Sequence, residues 1–159
     1  MRLATIVLII REGTVLLGRK QGAPEIGVGT LNGAGGKMEP EDEGSVIKTC
    51  VRETKEELGI DLDPACLEKV AVVTFYAGTA PNMEVHIFRT ETYSGEPRET
   101  EHMVPEWHPI AQIPYERMLE ADRHWFPELF KGRKFRTNVF YQEKAKGFLY
   151  VDPPMPLEE

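Results

Sequence analysis

The sequence predicts an α/β fold in which a mixed sheet packs against helices as a sandwich. Two β-rich runs, residues 3–10 and 14–18, flank Arg11-Glu12-Gly13, a glycine-containing hairpin signal. Between residues 44 and 58, Val46, Ile47, Cys50, Val51, Thr54 and Leu58 recur at helical spacing and define one buried face. Further strand-like runs follow, so strands lie on both sides of this helix in the chain. With 159 residues the chain fits one domain with a sizeable core, expected over residues 1–151.

The elements follow in order. Residues 20–30 combine glycines with Pro24 and read as a loop on the rim of a pocket. Residues 70–76 and 83–90 read as the next strand pair, and 107–110 as another short strand. A short helix is expected from Pro114 onward and a second around residues 125–130. Residues 135–141 and 148–151 are late strand candidates. The tail, residues 152–159, carries Pro153, Pro154 and Pro156, and is expected to be loose or to lie along the surface.

Composition narrows the function. The net charge of −7 argues against a broad nucleic-acid or anionic-membrane surface, which needs a positive field. A small polyphosphate stays compatible, because a metal and a few basic side chains meet its charge locally. No apolar run reaches the length of a membrane span, and the first residues lack a signal-peptide layout. Cys50 and Cys66 read as reduced thiols of a cytoplasmic protein.

The most informative stretch is Gly35-Gly36-Lys37 followed by residues 52–60, Arg-Glu-Thr-Lys-Glu-Glu-Leu-Gly-Ile. Glu53, Glu56 and Glu57 stand at i, i+3 and i+4, on one helix surface. Three carboxylates so placed repel one another unless a divalent cation lies among them, and carboxylate oxygens are hard ligands of the kind Mg2+ or Mn2+ takes. The plainer reading is a solvated helix face softened by Arg52 and Lys55.

The order Gly36, Arg52, Glu53, Glu56, Glu57, Gly59, Ile60 resembles the signature of the Nudix hydrolases. That resemblance implies a Nudix-type α/β/α sandwich with a catalytic loop-helix-loop. It implies ions held by Glu53, Glu56, Glu57 and the Gly36 carbonyl, with Arg52 orienting the glutamates. Two positions depart from the signature. The family's mid-box glutamate lies eight residues before the arginine, which here is Gly44, although Glu41, Asp42 and Glu43 precede it closely. Thr54 stands where an apolar residue is expected.

Residues 31–37, Leu-Asn-Gly-Ala-Gly-Gly-Lys, are similar to a segment of the MutT-like branch that hydrolyses oxidised purine nucleoside triphosphates. Residues 15–20, 112–115 and 124–127 are similar to that branch too. The resemblance implies that Asn32 hydrogen-bonds a purine, with Thr5, Lys20, Gly35, Lys37, Leu119 and Asp122 around the substrate. Asn32 as a turn former and Asp122 as a surface residue are the plainer readings. Ala121 replaces a second base-contacting aspartate, and Leu119 and Leu31 replace tryptophans, which leaves the base preference open. Phe75, Tyr76 and Trp125 offer stacking surfaces or fill the core. His102, with Glu99 and Glu101 adjacent, falls where the branch carries a further metal-associated glutamate. The basic run Lys131, Arg133, Lys134, Arg136 reads as a phosphate attractor or, more simply, as a solvated edge.

The expected activity is Mg2+-dependent hydrolysis of a purine nucleoside triphosphate, such as 8-oxo-dGTP or 2-oxo-dATP, to monophosphate and pyrophosphate by a monomer. Two alternatives stay open: a Nudix enzyme for another diphosphate-linked compound, and a non-catalytic nucleotide sensor.

Overall fold

A computed structural model describes residues 1–22 and 28–158. Ala23 to Gly27, the middle of the expected rim loop, lie outside the described residues. The strands are β1 (Arg2–Arg11), β2 (Thr14–Lys20), β3 (Leu31–Asn32), β4 (Ala34–Lys37), β5 (Glu68–Ala77), β6 (Ala80–Thr90), β7 (Met103–Pro109), β8 (Phe135–Glu143), β9 (Lys146–Val151) and β10 (Met155–Pro156). The helices are α1 (Val46–Leu58) and α2 (Asp122–Trp125). The sheet is mixed: β1 runs parallel to β6 and β5 parallel to β8, and the other pairs are antiparallel.

The run Ala4 to Ile10 in β1 is buried throughout, as a central strand covered on both faces should be. Alternate residues feed two cores. Ala4, Ile6 and Leu8 face Trp125, Phe126 and Leu129 from α2 and the turn after it. Val7 and Ile9 face Cys50 and Leu58 of α1. On the side away from β6, β1 pairs with β4 through Ala4–Val7 and with β2 through Ile9–Arg11. The chain therefore splits there, and β4 brings Gly35 and Gly36 beneath α1.

The helix starts later than its apolar spacing alone implies. Ser45 caps it by accepting from the Lys48 N–H, so Gly44 and Ser45 stay outside. Gly59 ends it at φ 75°, in the left-handed region glycine enters without strain. Thr54 is fully buried, and its hydroxyl donates to the Cys50 carbonyl at 2.7 Å. That local bond lets a hydroxyl sit where an apolar side chain is expected. Burial also pushes the Cys50 thiol up to about 12, and both cysteines are free.

Elsewhere the expected elements shift. The strand placed at 107–110 is the longer β7, and residues 110–112 form a short 3-10 turn. The helix expected from Pro114 is a single 3-10 turn at Tyr115–Arg117. The one expected at 125–130 is α2 followed by a 3-10 turn at Phe126–Phe130. Two short strands, β3 and β4, follow the expected rim loop, where no strand is expected. The tail lies along the surface: Met155 and Pro156 pair with Arg136 and Phe135, and Leu157 donates to Lys134. This pairing covers the part of the β8 edge that β9 leaves open, and Pro156 is tolerated because the strand is an edge. Among the described residues no helix is long and apolar enough to cross a membrane.

Candidate active site

A cavity of about 790 Å³ opens beside β1, β4 and the exposed side of α1. One end is lined by Gly35, Gly36, Lys37, Glu53 and Glu57. The other is lined by Asn32, Phe75, Tyr76, Met83, Leu119 and Tyr141. Thr5 and Lys20 also reach its wall.

The acidic end is built by close approach. A side chain on Gly36 would run into the Glu53 carboxyl, so glycine leaves that carboxyl its place beside the strand. Glu57 is turned toward the same strand and accepts from the Gly35 N–H at 2.8 Å. Burial pushes the Glu57 carboxyl up to about 7, with the Gly35 N–H and Lys20 working against the shift and Glu53 adding to it. Burial raises Glu53 as well, opposed by Arg52.

Arg52 is the hub. Its Nε and Nη2 donate to the two oxygens of Asp42, both at 2.8 Å, and Nη2 also reaches the Lys37 carbonyl at 3.1 Å. Nη1 donates to Glu53 at 2.9 Å and contacts Glu56 at 3.3 Å. Asp42 is 2% exposed and is held from behind by the Thr49 hydroxyl and the Glu39 N–H, each at 2.9 Å. The Arg52 guanidinium holds the Asp42 carboxyl well below the usual carboxylate range. Asp42 is thus the residue that sequence reasoning passed over. Counting back eight residues from Arg52 lands on Gly44, whereas the buried acid stands ten residues back. The signal was present in the acidic run Glu41-Asp42-Glu43. Spacing alone did not say which member turns inward, because the spacer from Gly36 to Arg52 is about two residues longer than the signature's, and the 3-10 turn at Pro40–Asp42 with the left-handed Glu43 takes up that length.

The glutamates do not all face one way. Glu53 and Glu57 line the cavity, whereas Glu56 has a half-exposed side chain paired with Arg52 and stays off the cavity wall. Among the described residues no three acidic, histidine or cysteine side chains already surround one point. The donors still suit a hard divalent ion. Glu53, Glu57 and the Gly36 carbonyl offer only oxygens, and two buried carboxylates whose charge is disfavoured gain from a cation between them. Mg2+ ordinarily keeps several waters, so two carboxylates and a carbonyl are a sufficient protein share.

At the other end the polar groups are few. Asn32 Oδ1 accepts from the adjacent Gly33 N–H at 2.8 Å, which matches the turn-forming reading and leaves its NH2 as the free donor. Leu119 lines the wall, but Asp122 is 3% exposed and is not part of it. Burial pushes the Asp122 carboxyl up to about 7, against the pull of Trp125, the Leu119 backbone and Lys20. Trp125 is core, packed edge-on to Phe75, whereas Phe75 and Tyr76 present surface to the cavity. Glu101 and His102 sit on the rim, 3.4 Å apart. Their turn is pinned to α1 by the Thr100 hydroxyl, which donates to the Glu57 carbonyl at 2.7 Å. In the basic run, Lys131 pairs with Glu128 at 2.8 Å and Lys134 approaches Glu68 at 3.7 Å, as on a solvated edge.

The chain is similar to known proteins in sequence and fold. The profile of the NUDIX domain matches residues 1–129. An oxidized purine nucleoside triphosphate hydrolase of Danio rerio is 37% identical over 135 residues, covering 84% of this chain and 83% of its own length. The protein of the same name from Mus musculus is 37% identical over 145 residues, with 90% and 88% covered. A MutT protein of Bacillus halodurans superimposes with a TM-score of 0.78 at 21% identity, over 96% of this chain and 97% of that one, and so shares the fold. On the profile match and these two relatives, the chain belongs to the NUDIX domain family.

Proposed function

We propose that this chain is a Mg2+-dependent pyrophosphohydrolase that converts a purine nucleoside triphosphate, oxidised forms included, to the monophosphate and pyrophosphate. The observation that carries the reading is one cavity with two unlike ends: buried carboxylates beside a glycine strand at one, and apolar and aromatic walls at the other. Nudix hydrolases generally use divalent metals, and the relatives named above act, by name, on oxidised purine nucleoside triphosphates.

Glu53, Glu57 and the Gly36 carbonyl would hold the ion, with Glu56 joining if it leaves Arg52. When bound, a divalent ion neutralises phosphate charge and lowers the pKa of a water. Arg52, fixed by Asp42, sets the orientation of Glu53 and ties the strand end at Lys37 to the helix. Lys20 and Lys37 add positive charge at the cavity wall, where the phosphates would run. Asn32 offers its NH2 to an acceptor on the base, and Leu119, Phe75 and Tyr76 cover the ring. Thr5 stands on the wall between the two ends. Asp122 acts on the base pocket from behind its surface. Residues 1–151 would form the hydrolase domain, working as a monomer in the cytoplasm to clear damaged nucleotides. The tail is an edge of the same sheet.

The test is product identity. Purified protein with Mg2+ is offered 8-oxo-dGTP, 2-oxo-dATP, dGTP, dATP and ADP-ribose, and the products are separated by chromatography. Monophosphate plus pyrophosphate from a purine triphosphate is expected, with loss on removing the metal. Diphosphate plus phosphate, or turnover of ADP-ribose alone, contradicts the reading.

A further inference from the structure

On the α1 face of the sheet, Val7 pairs in register with Ala34 on one side and Phe88 on the other, and all three are buried in the α1 core. Two residues along, the next row on that face is Gly36, Thr5 and His86. The Glu53 carboxyl occupies the space a Gly36 side chain would fill, its Oε2 2.5 Å from that Cβ position. Directly opposite residues carry their Cβ atoms about 5 Å apart. The order across this face is therefore the Glu53 carboxylate, Thr5, His86.

Thr5 is 1% exposed, and its Oγ1 has no hydrogen-bond partner among the described residues. His86 Nδ1 is likewise buried without one. Its Nε2 lies 2.8 Å from Glu84 Oε2. An ionised carboxylate only accepts, so Nε2 carries the proton and Nδ1 of the neutral ring is an acceptor. Burial holds the imidazole below its ordinary range, in keeping with a neutral ring. Two neighbouring buried polar atoms without protein partners are an exception that calls for a bound hydrogen-bonding molecule.

We propose that Thr5 and His86 bind one ordered water against the Glu53 carboxylate, and that this water fixes the carboxylate's orientation. Its hydrogens go to Glu53 and to His86 Nδ1, and its oxygen accepts from the Thr5 hydroxyl. Three partners are what a buried water ordinarily has. Thr5 and His86 are then positioning residues acting through Glu53, and Glu84 sets the tautomer that makes Nδ1 an acceptor. The inference rests on reading Glu53 as an ion ligand.

The test compares full-length wild type with Thr5→Val, His86→Leu, His86→Asn and Glu53→Gln. The readouts are kcat, KM and Mn2+ affinity by electron paramagnetic resonance, with melting temperature as the check on folding. Groups that orient a metal ligand are worth ~10- to 100-fold in affinity or activity. Thr5→Val and His86→Leu are expected to lower kcat and Mn2+ affinity by that order, and His86→Leu, whose site is off the cavity wall, to leave KM nearly unchanged. His86→Asn places an amide oxygen near the position of Nδ1 and is expected to recover most of both. Wild-type kcat and Mn2+ affinity in Thr5→Val and His86→Leu overturn the proposal. So does His86→Asn failing as badly as His86→Leu while still folded. If Glu53→Gln binds Mn2+ as tightly as wild type, the ion-ligand reading itself has failed; if only Glu53→Gln loses the ion, that reading stands and the water does not.

Discussion

The two ends of the cavity are held to different degrees. At the acidic end a charge network holds the groups: Arg52 alone reaches Asp42, Lys37, Glu53 and Glu56. At the apolar end Asn32 has one local bond and stands among Leu119, Met83 and aromatic surface. A charge network tolerates little change, because removing one member leaves another buried and unmet. An apolar wall tolerates exchange at modest cost. On the proposed reading, the phosphate chemistry is then held tightly and base selection stays adjustable.

The largest effect expected is on the acidic end. Glu53→Gln keeps the shape and removes the charge, and should lower kcat by about 10²-fold or more on every substrate; steady-state kinetics in Mg2+ checks it. Next comes Asp42→Ala. The Arg52 side chain is 17% exposed and would lose its main partner, so unfolding in urea should show a loss of about 3 kcal/mol. The pH dependence has a definite sign. Because the Asp42 carboxyl is depressed in the fold, its stabilisation is present above the ordinary value of 3.8 and is lost as pH falls below it. Asp42→Ala should therefore flatten the acid limb of the stability profile.

Two smaller changes address the apolar end. The Asp122 carboxyl is raised from 3.8 to about 7, so the fold binds its proton more tightly than the unfolded chain. Stability should fall as pH rises through that interval, and Asp122→Asn should reduce the slope in melting temperature between pH 4 and 7, leaving the share that Glu57 contributes. Leu119→Trp adds a stacking surface worth about 1 kcal/mol, so KM for purine triphosphates should drop by up to several-fold, unequally among the bases, with kcat nearly unchanged.

The same contrast governs what could be read from the sequence. The helix, its apolar face and the glutamates were legible because helical spacing and a glycine stop are local signals. So was the β1–β2 hairpin. Asp42 was not, because its position depends on how a 3-10 turn takes up extra chain between Gly36 and α1. Glu56 looked equivalent to Glu53 and Glu57 on a helical wheel. The sheet under α1 decides otherwise, since only Glu53 and Glu57 project over Gly35 and Gly36. The tail was legible as surface chain but not as a strand, because its partner is the backbone of Phe135 and Arg136, distant in sequence. Asp122 was placed in the pocket by resemblance, and only packing shows it behind the wall.

The central claim is that the acidic end sets the rate and the apolar end sets the choice of base. The most direct measurement is kcat and KM for 8-oxo-dGTP, 2-oxo-dATP, dGTP and dATP in wild type, Glu53→Gln and Leu119→Trp. The account predicts that Glu53→Gln depresses all four substrates by a common factor, while Leu119→Trp changes their ranking and leaves kcat in place. A ranking altered by Glu53→Gln, or a common loss of kcat in Leu119→Trp, would contradict it.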